Sequence, residues 1–150
     1  MAQEPKMRVM READLDVIVA IDEQVSGQNR REYYERKAAM LPDKRHTINS
    51  SLVAEIDGKV VGFMMGDVYF GEFGIPDTSA TIDALGVDPA LQNRGIASEL
   101  LDQFVMNMKA AGVNKIYTLV NWDDFALEHF FASHKFVPSK RINLELALPR

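Results

Sequence analysis

Residues 92–98 read Gln-Asn-Arg-Gly-Ile-Ala-Ser, between an apolar run ending in Val87-Asp88-Pro89 and a stretch with helical periodicity. These types in this order suit one kind of chemistry. The first turn of a helix leaves backbone N–H groups without intrahelical acceptors, and the aligned peptide dipoles add partial positive charge there. Gly95 and Ala97 let a ligand approach that backbone closely, and Arg94 adds a permanent cation. Gln92 and Asn93 supply side-chain amides or shape the loop. Such a turn can hold an anion, and a pyrophosphate suits it well. The same residues also serve a tight strand-to-helix connection in which the glycine only relieves strain. Neither G-x-G-x-x-G nor G-x-x-x-x-G-K-[ST] occurs in the chain.

A second candidate lies just upstream. In "ATIDALGV" (80–87) strand alternation places Thr81, Asp83, Leu85 and Val87 on one face. An aspartate is out of place there, because Asp disfavours strands. Among apolar neighbours a carboxylate makes a better proton acceptor, so Asp83 is a candidate general base working through a water. The competing reading is structural, with Asp83 accepting hydrogen bonds from a loop such as 71–78. His129 and His134 read as exposed or capping, and with no third ligand beside them no metal site is expected. Trp122 follows a strand and either lines a pocket or caps the sheet.

The elements that must position these residues follow from periodicity. A short strand over 6–12 precedes a helix over 13–27, in which Leu15, Ile18, Val19, Asp22 and Val25 keep helical spacing and Gly27 is the stop. A second helix spans 30–41 and ends at Pro42. Two apolar runs within 51–70 flank Asp57-Gly58, a strong hairpin signal. Residues 71–77 form a loop and 79–87 a strand. Ile96, Leu100, Leu101, Phe104, Val105 and Met108 mark a helix that stops at Gly112. A strand over 114–120, a helix over 124–134 and an alternating strand over 141–148 complete the order β-α-α-β-β-β-α-β-α-β. Early hairpins imply antiparallel pairing and late β-α-β passages imply parallel pairing. The expected class is therefore α/β, a mixed sheet with helices on both faces.

Composition narrows the function classes. The chain has 150 residues, enough for one domain. A net charge of −5 argues against a nucleic-acid partner. The basic triplets at 44–46 and 139–141 read as solvated loops. There is no cysteine, which excludes disulfides, zinc-thiolate sites and a thiol nucleophile. No apolar run suits a signal peptide or a bilayer span, so no membrane association and a cytoplasmic location are expected. The eight methionines fit adaptable core packing.

The stretch "LGVDPALQNRGIASELL" resembles the acetyl-CoA-binding motif of the GNAT superfamily of N-acetyltransferases, [QR]-x-x-G-x-[GA] after a strand ending V-x-P, with Gln92, Gly95 and Ala97 at its defined positions. A second family motif is altered in "DFALEHFFASHKF" (124–136). The element order matches that fold from Met7 to Leu148. The resemblance implies a six- to seven-stranded mixed sheet with about four helices, and acetyl-CoA as cosubstrate. Leu85, Gly86 and Val87 would then pair with pantetheine in a gap between two parallel strands. The backbone of 92–98 (Gln92, Asn93, Arg94, Gly95, Ile96, Ala97 and Ser98) would hold the pyrophosphate, with the adenine near Phe130, Ser133 or His134. A backbone N–H near Val87 would serve the oxyanion.

The chain departs from the pattern where a tyrosine often acts as general acid, because Phe131 stands there. The asparagine, alanine and glycine positions hold Asp124, Leu127 and Lys135. Tyr117, Tyr69, Tyr33 and Tyr34 are substitutes by type, and the thiolate can also leave unassisted. On the acceptor side, Tyr33, Tyr34 and Trp122 are candidates, and Glu72 either attracts a cationic amine or is a solvated loop carboxylate. The expected activity is direct acetyl transfer to a small amine, a lysine or a protein N-terminus. The alternative is a non-catalytic acyl-CoA sensor. A homodimer through edge strands is also expected.

Overall fold

The computed structural model describes residues 4–39 and 50–149. Five strands form one sheet in the order β1-β2-β3-β4-β5: Lys6–Val9, Ser51–Ile56, Lys59–Phe70, Thr78–Val87 and Lys115–Thr118. The first three pairings are antiparallel and the last, β4 with β5, is parallel. The helices are α1 (Leu15–Ser26), α2 (Arg31–Ala38), α3 (Ile96–Ala110) and α4 (Phe125–Ser133). The β2–β3 hairpin turns on Asp57 (φ 54°) and Gly58 (φ 76°), consecutive left-handed residues that match the strand twist. Gly27 (φ 78°) closes α1. The end of the 30–41 helix, Pro42 and the 44–46 triplet lie outside the described residues.

Alternation along β2 and β3 splits the core into two layers. Val53, Phe63 and Met65 face α1 and α2, where they bury Ile18, Val19, Ile21 and Tyr34. The opposite face of the sheet receives α3, whose Leu100, Leu101, Phe104 and Met108 are all at most 1% exposed. Two glycines permit this approach. A methyl group on Gly62 would press on Ile96 and Leu100 at 3.3 Å, and one on Gly66 would meet the Thr81 carbonyl at 2.4 Å and the Phe104 ring at 2.7 Å.

The chain divides into two compact units, 1–118 and 119–150. In the second, Asp124 caps α4 by accepting a hydrogen bond from the Leu127 amide at 3.1 Å. Phe131 is buried and its ring packs against those of Phe130 and Phe136. The strand expected over 141–148 is not formed, so the described sheet has five strands instead of six or seven. A strand exists only against a partner edge, and no ladder among the described residues includes this segment. Ile142, Leu144, Leu146 and Leu148 are each at least 77% exposed.

Candidate active site

The strand β4 is paired on both sides only along its first half. Its ladder with β5 runs from Ser79↔Lys115 to Ile82↔Thr118 and stops. The Thr118 hydroxyl closes the last rung by donating to the Ile82 carbonyl at 3.0 Å. From Asp83 to Val87, β4 keeps strand partners on its β3 side alone. Leu85, Gly86 and Val87 lie in this stretch, which among the described residues has a strand partner only on its β3 side.

A β-bulge sits where the two strands part. Met65 pairs with Ala84 but Gly66 pairs with Ile82, which leaves Asp83 as the extra residue. This corrects the simple alternation expected for 81–87. Thr81 and Asp83 do share a face, since the Thr81 hydroxyl donates to Asp83 Oδ1 at 2.9 Å. Beyond the bulge the phase shifts. Ala84 packs with Met65 on the α1 side, and a methyl on Gly86 would meet Phe63 and Ile21 there. Leu85 and Val87 therefore face α3.

Asp83 does not stand alone among apolar groups. Its Oδ2 accepts a hydrogen bond from Lys37 Nζ at 2.8 Å, so α2 reaches the bulge through an ion pair. The side chains are 28% and 21% exposed. Burial by itself would lower the Lys37 pKa, but the hydrogen bond and charge of Asp83, with smaller contributions from Tyr33 and Tyr69, raise it above the ordinary lysine value. Lys37 Nζ also lies 5.8 Å from the centroid of the Tyr33 ring. Tyr33, Lys37, Thr81 and Asp83 thus form one cluster. Lys37 was not singled out in the sequence. The available signal was its place one turn after Tyr33, on the same side of the helix.

The clamp behind this cluster is buried. Asp22, 3% exposed, accepts from Arg30 Nε at 2.8 Å, from Arg30 Nη2 at 2.5 Å and from the Tyr34 hydroxyl at 2.9 Å. Burial, then the charge of Asp22, pushes the Tyr34 phenol well above its usual range. Tyr34 is therefore committed to joining α1 and α2 and is removed from the candidate acids.

The turn before α3 is tight and leads directly into the helix. Asn93 (φ 65°) and Gly95 (φ 81°) both adopt left-handed backbone. The first helical hydrogen bond runs from the Glu99 amide to the Gly95 carbonyl at 3.0 Å, so the amides of Ile96 and Ala97 stand ahead of the ladder. Gln92 braces the turn, its Nε2 donating to the Val87 carbonyl at 3.2 Å. Arg94 is exposed, as are Gln92, Asn93 and Gly95; Ile96 is buried, and Ala97 and Ser98 are half-buried. A cleft of about 780 Å³ adjoins this turn on the side of the β2–β3 hairpin, lined by Arg94, Gly95 and Lys59 but also by Glu4, Asp57, Asp88 and Glu99. Its carboxylates outnumber its cations, and it does not include Asp83 or Lys37.

Glu72 is exposed in the β3–β4 loop beside Phe73, itself 92% exposed. Trp122, in the second unit, is 82% exposed. No group of His, Asp or Glu suited to a metal was found among the described residues.

Residues 13–136 match the model of the acetyltransferase (GNAT) family. The chain belongs to that family and is an acyltransferase by class. It is 28% identical over 122 residues to an acetyltransferase of Pectobacterium atrosepticum, covering 81% of this chain and 80% of the relative. Among solved structures, the fold is shared with the aminoglycoside acetyltransferase AAC(6')-Iy in complex with a CoA bisubstrate analogue (TM-score 0.78, 13% identity, 98% and 100% of the two chains). It is also shared with a ribosomal-protein-alanine N-acetyltransferase from Brucella melitensis (TM-score 0.74, 14% identity, 97% and 99%).

Proposed function

We propose that this protein transfers the acetyl group of acetyl-CoA directly to a primary amine, with pantetheine along the open edge of β4 and the pyrophosphate on the turn before α3. The observation that carries the reading is the coincidence of two features: β4 loses its parallel partner after Ile82, and six residues after Val87 the chain enters a left-handed turn at Asn93 whose following amides open a helix. Those peptide groups of 85–87 that point away from β3 suit the amide-bearing arm of CoA. The amides of Ile96 and Ala97, with Arg94, suit its phosphates.

Acetyl-CoA supplies an activated thioester; the chain supplies position and proton handling. A thioester carbonyl lying along 85–87 is polarised by a backbone N–H near Val87. Asp83, at the point where the strands part, receives the acceptor's ammonium and takes its proton through water. Phe131 offers no proton, so the thiolate leaves unassisted or draws on Tyr117 or Tyr69. The acceptor is a cationic amine, small or carried on a peptide; the acidic chain and Glu72 favour that charge. The exposed apolar residues of 142–148 pair with a second copy of the chain, giving a homodimer that sedimentation velocity would detect.

The deciding experiment follows free CoA across a panel of primary amines. Acceptor-dependent release is expected. Tight acetyl-CoA binding with no release across a broad panel would instead support the sensor reading that the phenylalanine at 131 favours.

A further inference from the structure

We propose that Lys37 is a resident occupant of the acceptor-amine position, and that a substrate's primary ammonium displaces it from Asp83. The proposal rests on the N-acetyltransferase reading and adds a specificity device to it. Asp83 is the bulge residue directly after the last rung of the β4–β5 ladder. One of its oxygens is held by the Thr81 hydroxyl, and the other receives the Lys37 ammonium at 2.8 Å. The same ammonium lies over the Tyr33 ring. A carboxylate on one side and a ring face on the other make a recognition site for an alkylammonium group. The group now occupying it is an alkylammonium belonging to the chain itself.

Exchange of one ammonium for another leaves Asp83 paired throughout. Both side chains are partly exposed, and a pair of that kind is weak enough to open. A tethered competitor acts at an effective concentration in the millimolar range. A substrate must therefore outcompete Lys37, and acceptors with a second anchoring group are favoured over simple amines.

The test compares the wild type with Lys37→Met, which keeps the stem and drops the charge. The KM for primary amines is expected to fall about two- to five-fold, the penalty of opening a partly exposed ion pair, with acetyl-CoA affinity unchanged. Asp83→Asn should raise that KM, and in the double variant the effect of Lys37→Met should vanish. A second readout needs no turnover. With ¹⁵N-labelled lysine, the Lys37 ammonium signal, protected in the ion pair, should exchange rapidly once n-butylammonium saturates the site. An amine KM insensitive to Lys37→Met, or a Lys37 signal unmoved by n-butylammonium, overturns the proposal. Failure of the wild-type protein to bind acetyl-CoA, read by calorimetry, overturns the underlying enzyme assignment instead.

Discussion

At Gly95 a single backbone angle bears on both stability and the proposed phosphate site. Its φ of 81° lies in the left-handed region, and a methyl group there would meet nothing within 4 Å. A substitution would therefore act through backbone strain alone. Gly95→Ala is expected to cost about 1 kcal/mol of stability, measured by chemical denaturation. If the turn relaxes to escape the strain, the amides of Ile96 and Ala97 lose their alignment, and acetyl-CoA affinity should fall by more than the stability loss alone accounts for. A variant with wild-type affinity would remove this turn from the phosphate site. Residue types made the turn itself legible in the sequence, because Gly95 stands directly before a helical period. Asp83 was legible only as an oddity. Its partner, Lys37, lies 46 residues away on another element, and nothing local to the strand announces it.

At the scale of elements, strand and helix periods carried most of the layout, including the hairpin at Asp57-Gly58. They could not carry the bulge. A bulge adds one residue and reverses the facing of all that follow, so alternation read from Thr81 onward put Leu85 and Val87 on the wrong face. The α1–α2 junction was half legible. Asp22 kept the helical spacing of its apolar neighbours because it is buried with them, but its partners, Arg30 and Tyr34, come from the next helix turn and loop. Just past α4, the residue at the family's glycine position is Lys135, and it adopts φ 72°. Its amide donates to the Ala132 carbonyl and the Phe136 amide to that of Phe131, the bonding of a left-handed helix stop. Lysine pays the Cβ penalty there that glycine avoids. Lys135→Gly should stabilise the protein by about 0.5–1 kcal/mol, with part of the gain offset by a more flexible unfolded chain. A thermal melt that falls instead of rising would place the value of Lys135 in its side chain.

At the scale of the whole molecule, two buried polar clamps hold elements that hydrophobic packing alone leaves free to slide. The Arg8 guanidinium joins β1 to Asp14 at 2.7 and 2.8 Å and to Glu55 on β2 at 2.6 Å. Asp22 joins α1 to Arg30 and to Tyr34 of α2. They set opposite pH limits on stability. Burial by itself would raise the Asp14 carboxyl, but the Arg8 hydrogen bonds and charge, with the Arg11 amide, hold it below its usual 3.8. A lowered folded value contributes stability that is present above the unfolded value and is lost as pH falls through the folded one. Tyr34 is the reverse case. Burial and the Asp22 charge raise its phenol above the usual 10, so its contribution is complete below 10 and is lost as pH climbs from there through the folded value. Denaturation free energy should therefore run level between about pH 5 and 9 and decline at both ends. Asp14→Asn should lower the plateau by about 2 kcal/mol and flatten the acid limb only. Tyr34→Phe should cost about 1 kcal/mol, the worth of one hydrogen bond, and flatten the alkaline limb only. If either substitution altered the limb assigned to the other clamp, the two would not be the independent devices that their separate partners imply.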